Sequence, residues 1–106
     1  MRYVIDIDGT ICSPSPGNYR AAVPYSERIQ KLNNLHEAGN IIIFFTARGM
    51  TRFSGNVSKC YSEYYDLTKN QLDEWGCKYD QLIMGKPDGD VFVDDRASND
   101  KTFFGE

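Results

Sequence analysis

Apolar residues fall along this chain in short runs and on two helical faces, and the polar residues between them mark where elements begin and end. Residues 2 to 8 read as a buried strand, with Val4, Ile5 and Ile7 apolar, that leaves through Asp6 and Asp8 into a turn at Gly9. Pro24 suits the first turn of a helix whose apolar positions Ile29, Leu32, Leu35 and Ala38 keep helical spacing, and Gly39 and Asn40 stop it. The run Ile41 to Phe45 is apolar without alternation, as expected of a strand covered on both faces in a parallel sheet, and it ends at Thr46. A second helix is predicted where Val57, Tyr61, Tyr64, Tyr65, Thr68, Leu72 and Trp75 recur every three or four residues; Gly76 closes it.

Residues 79 to 84 and 91 to 94 predict two more short strands, so the order is βαβαββ, an α/β sandwich on a mostly parallel sheet. The joint between them, Gly85 to Asp90, is shorter than the dozen or so residues a parallel crossover usually needs. Asp88-Gly89 would suit a hairpin and an antiparallel last strand. The alternative is one helical turn at Pro87, with the last strand crossing to the far side of the first. It is favoured because ligands of open parallel sheets bind beyond the carboxyl ends of the strands. With all strands parallel, Asp6, Asp8, Thr46, Lys86, Asp94 and Asp95 meet at one rim.

Composition narrows the picture. A chain of 106 residues predicts one domain over residues 1–106, and 41% hydrophobic with 25% charged residues is ordinary globular composition. A net charge of -3 disfavours nucleic acid as the main partner, because such binders usually carry a basic face. Cys12, Cys60 and Cys77 form no CxxC pair, so neither a disulfide framework nor a zinc site is readable. No stretch approaches membrane-spanning length, and a soluble cytoplasmic protein is expected. His36 falls on a predicted helix face and reads as a surface residue.

The chemistry is carried by carboxylates. Side chains two apart on a strand share a side, so Asp6 and Asp8 converge, and their repulsion calls for a divalent metal or a shared proton. Taken alone, Asp-Gly between apolar residues is equally a turn signal, Asp94-Asp95 is more often a turn or helix cap, and a lone Thr or Lys at a strand end is usually only solvated. Their order is what discriminates.

Asp6-Ile7-Asp8-Gly9-Thr10, the apolar run into Thr46, Lys86, and Asp94-Asp95 behind Val91-Phe92-Val93 resemble, in order, the four motifs of the haloacid dehalogenase-like (HAD) phosphohydrolase superfamily. Thr46-Ala47-Arg48-Gly49, Gly85-Lys86-Pro87 and Asp94-Asp95-Arg96 look most like small bacterial members associated with capsule and polysaccharide synthesis. The resemblance implies a three-layer α/β/α Rossmann-like sandwich and a Mg²⁺-dependent phosphatase. In it Asp6 attacks phosphorus to give an aspartyl phosphate, and Asp8 is general acid and then base. Thr46, the amides of Ile7, Ala47 and Arg48, and Lys86 would hold and balance the phosphate, with the Arg48 side chain an extra substrate contact. Asp6, the Asp8 carbonyl and Asp94 would ligate Mg²⁺, with Asp95 outside them or bridged by water.

The segments Ile11 to Val23 and Ala47 to Asn56 are too short for the cap domain that many relatives insert, so a capless, open site is expected. A small phosphorylated substrate such as a sugar phosphate then fits, with a homo-oligomer as one means of covering the site. Tyr19 and Arg20, on the loop from Cys12 to Pro24, are further candidates for substrate contact, and Phe103 and Phe104 are expected to fold back onto the domain. An EF-hand fails because its twelfth position, counted from Asp6, is Gly17 rather than Glu. A phosphoacceptor receiver domain places its acidic pair first and its Lys last, whereas Asp94-Asp95 here follows Lys86. A phosphotransferase of the same fold, or a silent metal-binding scaffold, stays open as an alternative.

Overall fold

The computed structural model describes residues 1–106. Three strands, β1 (Arg2–Ile5), β2 (Ile41–Thr46) and β3 (Gln81–Met84), form a parallel sheet in the order β1-β2-β3. Helices α1 (Ser26–Glu37) and α2 (Val57–Glu74) make the two crossovers, and a short α3 (Asp100–Phe104) follows the sheet. Ile5 pairs with Phe44 and Thr46 with Met84, which brings the carboxyl ends of all three strands to one edge.

The sheet buries one face. Ile5, Ile42, Phe44 and Leu82 pack in a single cluster with Ile29 and Leu32 of α1, Leu72 of α2 and Phe104 of α3. The odd-numbered positions of β2 and β3 point the other way, where Val4, Ile41 and Ile83 are exposed. The expectation that the second strand is covered on both faces is therefore corrected: burial alternates along it. The sheet and helices form an α/β fold with a packed core on one side, and a third layer is not seen.

The last predicted strand is the main departure. Residues 91–94 form no ladder, every residue from Pro87 to Asn99 is exposed, and the outer edge of β1 has no strand beside it. Val91-Phe92-Val93 is only three apolar residues long, flanked by Asp90 and Asp94. Its ring, Phe92, turns back to the ammonium of Lys86, 4.4 Å from the ring centroid. Neither the hairpin nor the parallel crossover forms. The first strand is also shorter than expected: it stops at Ile5, so Asp6 and Asp8 lie in the turn beyond it.

The C-terminal segment does fold back. Phe104 is buried in the core and Phe103 meets Tyr3 edge-on. Arg28 of α1, itself buried, holds this segment by bonding Asp100 at 2.7 Å and Glu106 at 2.6 and 2.8 Å, and it donates to the Thr10 carbonyl at 3.0 Å. The same guanidinium thus ties the tail to the turn that follows Asp8. No helix is long and apolar enough to cross a membrane.

Candidate active site

The turn beyond β1 closes on itself. The Ile7 carbonyl accepts from the amides of Thr10 and Ile11, and Gly9 donates to the Cys12 carbonyl with φ at +83°, a conformation that glycine takes without strain. Asp6 and Asp8 are therefore held on a short rigid turn at the carboxyl end of the sheet. Thr46 ends β2 at the same edge, and Lys86, two residues past β3, donates its amide to the Thr46 carbonyl at 3.1 Å.

Each carboxylate has its own cation. Lys86 Nζ lies 3.4 Å from Asp6 Oδ1, while the Thr10 hydroxyl donates to Asp6 Oδ2 at 3.3 Å. Arg48 holds Asp8 with two bonds, Nε to Oδ2 at 2.9 Å and Nη2 to Oδ1 at 3.0 Å. These cations each set a positive charge beside one of the two aspartates, which offsets the repulsion between them. Cys12 also lies beside Asp8, its Sγ 3.6 Å from Oδ1, and burial together with the negative Asp8 pushes this thiol up to about 12.

Arg48 faces inward instead of toward substrate. Its side chain has 0% exposure, and Nη1 bonds Thr68 Oγ1 at 3.2 Å and Gln71 Oε1 at 2.5 Å, both on α2. Its amide, expected to help hold phosphate, donates to Thr46 Oγ1 at 3.1 Å. The amides of Ile7 and Ala47, by contrast, donate to no acceptor in the protein. Thr46 is buried, and its hydroxyl accepts from Arg48 while keeping its own hydrogen for a further acceptor.

Asp94 and Asp95 do not join this edge. The Asp94 carboxylate accepts from the Arg96 amide at 2.8 Å, and that bond, with a contribution from Asp95, holds it below the usual carboxylate range. Nowhere do three potential metal-ligating side chains converge. As placed, Asp6, Asp8, Asp94 and Asp95 do not fit a Mg²⁺ ion, because the two halves of the expected ligand set stand apart on different segments.

Two further side chains lie on the loop from Cys12 to Pro24. Tyr19 lies in a single 3₁₀ turn, Tyr19–Ala21, with its ring 4.8 Å from the Arg48 guanidinium carbon. Arg20 lines an open cleft of about 440 Å³ with Glu63, Asp66, Gln71 and Glu74 along α2. The roles of Thr68 and Gln71 were missed. Thr68 is a polar residue inside the apolar repeat of α2, which hints at a buried partner, whereas nothing in the sequence marks Gln71.

No family model matches the chain, and no curated protein matches it. A crystal structure of a target protein from Vibrio cholerae is similar to it, with a TM-score of 0.90 and 31% sequence identity over 99% of this chain and 88% of that one.

Proposed function

We propose that this chain, which belongs to one family with the Vibrio cholerae protein, is a HAD-type phosphohydrolase acting on a small phosphate monoester such as a sugar phosphate. One observation carries the reading. At the carboxyl edge of a parallel sheet, a half-buried Asp6 faces Lys86 at 3.4 Å beside two backbone amides, of Ile7 and Ala47, that have no acceptor. A tetrahedral anion would satisfy those amides.

In this reading an Asp6 oxygen attacks phosphorus, the bond from phosphorus to the leaving oxygen breaks, and Asp8 delivers a proton to that oxygen. Water then attacks the aspartyl phosphate with Asp8 as base, which frees inorganic phosphate and restores Asp6. The Ile7 and Ala47 amides and the Thr46 hydroxyl hold the phosphoryl oxygens, and Lys86 balances the charge shared by phosphate and Asp6.

The finer architecture belongs to the same proposal. Val91-Phe92-Val93 is exposed and the outer edge of β1 is free, and a fourth parallel strand there would extend the sheet of the proposed three-layer sandwich and carry Asp94 and Asp95 toward the rim. Mg²⁺ dependence rests on the resemblance in sequence and requires that rearrangement. The test is phosphate release from an aryl phosphate and a panel of sugar phosphates, with and without Mg²⁺. Release that needs the metal and is lost in Asp6→Asn is expected; no turnover on any member overturns the reading.

A further inference from the structure

Tyr19 is fixed at three points by groups that also build the Asp8 site. Its hydroxyl oxygen accepts from the Gly49 amide at 2.9 Å, its carbonyl accepts from Gln71 Nε2 at 2.6 Å, and its ring stands 4.8 Å from the Arg48 guanidinium carbon. Gln71 closes the circuit, since its other amide atom, Oε1, accepts from Arg48 Nη1 at 2.5 Å. On its remaining side the ring meets Tyr64 edge-on at 4.9 Å. Gly49, which supplies the first bond, follows Arg48 directly and sits at φ +84° with Tyr64 and Cys60 packed against its α-carbon.

Four N–H bonds of Arg48 are spent inside the protein: two on Asp8, one on Thr68 and one on Gln71. Such a guanidinium has no freedom to turn without breaking several bonds. The plane of the Asp8 carboxylate is set by the plane of the guanidinium through the paired bonds, and that plane is set in turn by the Tyr19 ring and Gln71.

We propose that Tyr19 and Gln71 are positioning residues for Asp8, acting through Arg48. The loop between β1 and α1 is thereby a fixed wall of the site, and its Tyr19 holds the carboxylate at the angle from which it meets the leaving oxygen. The inference rests on the phosphohydrolase reading, in which Asp8 moves the proton. It predicts that the step releasing the leaving group is slowed only for substrates that need that proton.

Two phosphate esters separate this role from general support of the fold. A nitrophenyl phosphate has a leaving group that departs without protonation, whereas glycerol phosphate, an alkyl ester, needs an acid. Tyr19→Leu is expected to lower kcat/KM on glycerol phosphate about tenfold or more, with kcat/KM on the aryl ester within about twofold of wild type; kcat/KM ends at loss of the leaving group, so the later water attack common to both esters does not enter it. Tyr19→Phe, which keeps the ring over Arg48, is expected to restore most of the loss. Gln71→Met keeps helix and volume while removing both of its bonds, so it carries the test if Tyr19→Leu does not fold.

An equal fall in kcat/KM on the two esters, or an unchanged ratio in Tyr19→Leu and Gln71→Met, overturns the positioning role and leaves the phosphohydrolase reading standing. A wild-type protein that turns over neither ester nor any member of the sugar-phosphate panel overturns both.

Discussion

Arg48 grips the Asp8 carboxylate with two bonds, of 2.9 and 3.0 Å, from a side chain that solvent does not reach. The neighbouring pair, Lys86 with Asp6, is looser at 3.4 Å and partly open to water. Burial separates the two cations: Arg48 is fixed by the fold and sets the angle of Asp8, whereas Lys86 is open to a ligand.

Removing the buried cation should therefore cost stability where removing the open one does not. Arg48→Met strands Asp8 and leaves Thr68 and Gln71 without a donor, and a loss of about 1–3 kcal/mol is expected in urea unfolding. Lys86→Met should stay within about 1 kcal/mol of wild type. In the double variant Arg48→Met with Asp8→Asn, part of the Arg48 loss should be recovered; strict additivity would show that the two side chains are not coupled.

The C-terminal clamp gives a pH dependence with a definite sign. The Arg28 guanidinium holds the carboxyls of Asp100 and Glu106 below their usual ranges. Groups whose folded values are depressed contribute stability above the unfolded values of about 4, and lose it as pH falls through the folded ones. The melting temperature of Arg28→Met should lie below wild type at pH 7, and the gap should close below about pH 4. A gap that stays constant to pH 2.5 would mean that the carboxylates do not supply the clamp's stability.

Much of this could be read before the structure. Two helices and three strands followed from hydrophobic spacing because those segments bury a stripe or a face, and the parallel order followed from the alternation of strands with helices. Asp6, Thr46 and Lys86 reached one edge because each sits at or just past a strand end. Arg48 was misplaced for a physical reason: sequence shows a charge in a polar stretch but not the Thr68 and Gln71 acceptors that draw it inward from a distant helix. Val91-Phe92-Val93 has strand composition, and composition alone does not supply a neighbouring edge.

That segment carries its own prediction. The amides of residues 91–94 donate to no acceptor in the protein, so they should exchange with deuterium as fast as open chain. Adding Mg²⁺ with fluoroberyllate should slow them markedly if they dock against β1 as proposed, and chelation should reverse the effect. Unchanged exchange would remove the fourth strand and its Mg²⁺ ligands from the account.

The thiols offer a check on packing that is independent of activity. Burial pushes Cys12 and Cys77 each up to about 12 and raises Cys60 as well. At pH 8 all three are protonated, and iodoacetamide should leave the folded chain unmodified over an hour while labelling it three times in denaturant. Rapid labelling of Cys12 in the native protein would show that the turn around Asp8 is open.

The central claim is that Asp6 becomes phosphorylated during turnover, and borohydride trapping tests it most directly. Reduction of an aspartyl phosphate converts that side chain to the alcohol of homoserine, which tandem mass spectrometry places in the sequence. Wild-type protein quenched while hydrolysing a phosphate monoester should carry homoserine at position 6, and Asp6→Asn should carry none. Phosphate release without homoserine at that position, or with it at another carboxylate, would contradict the account.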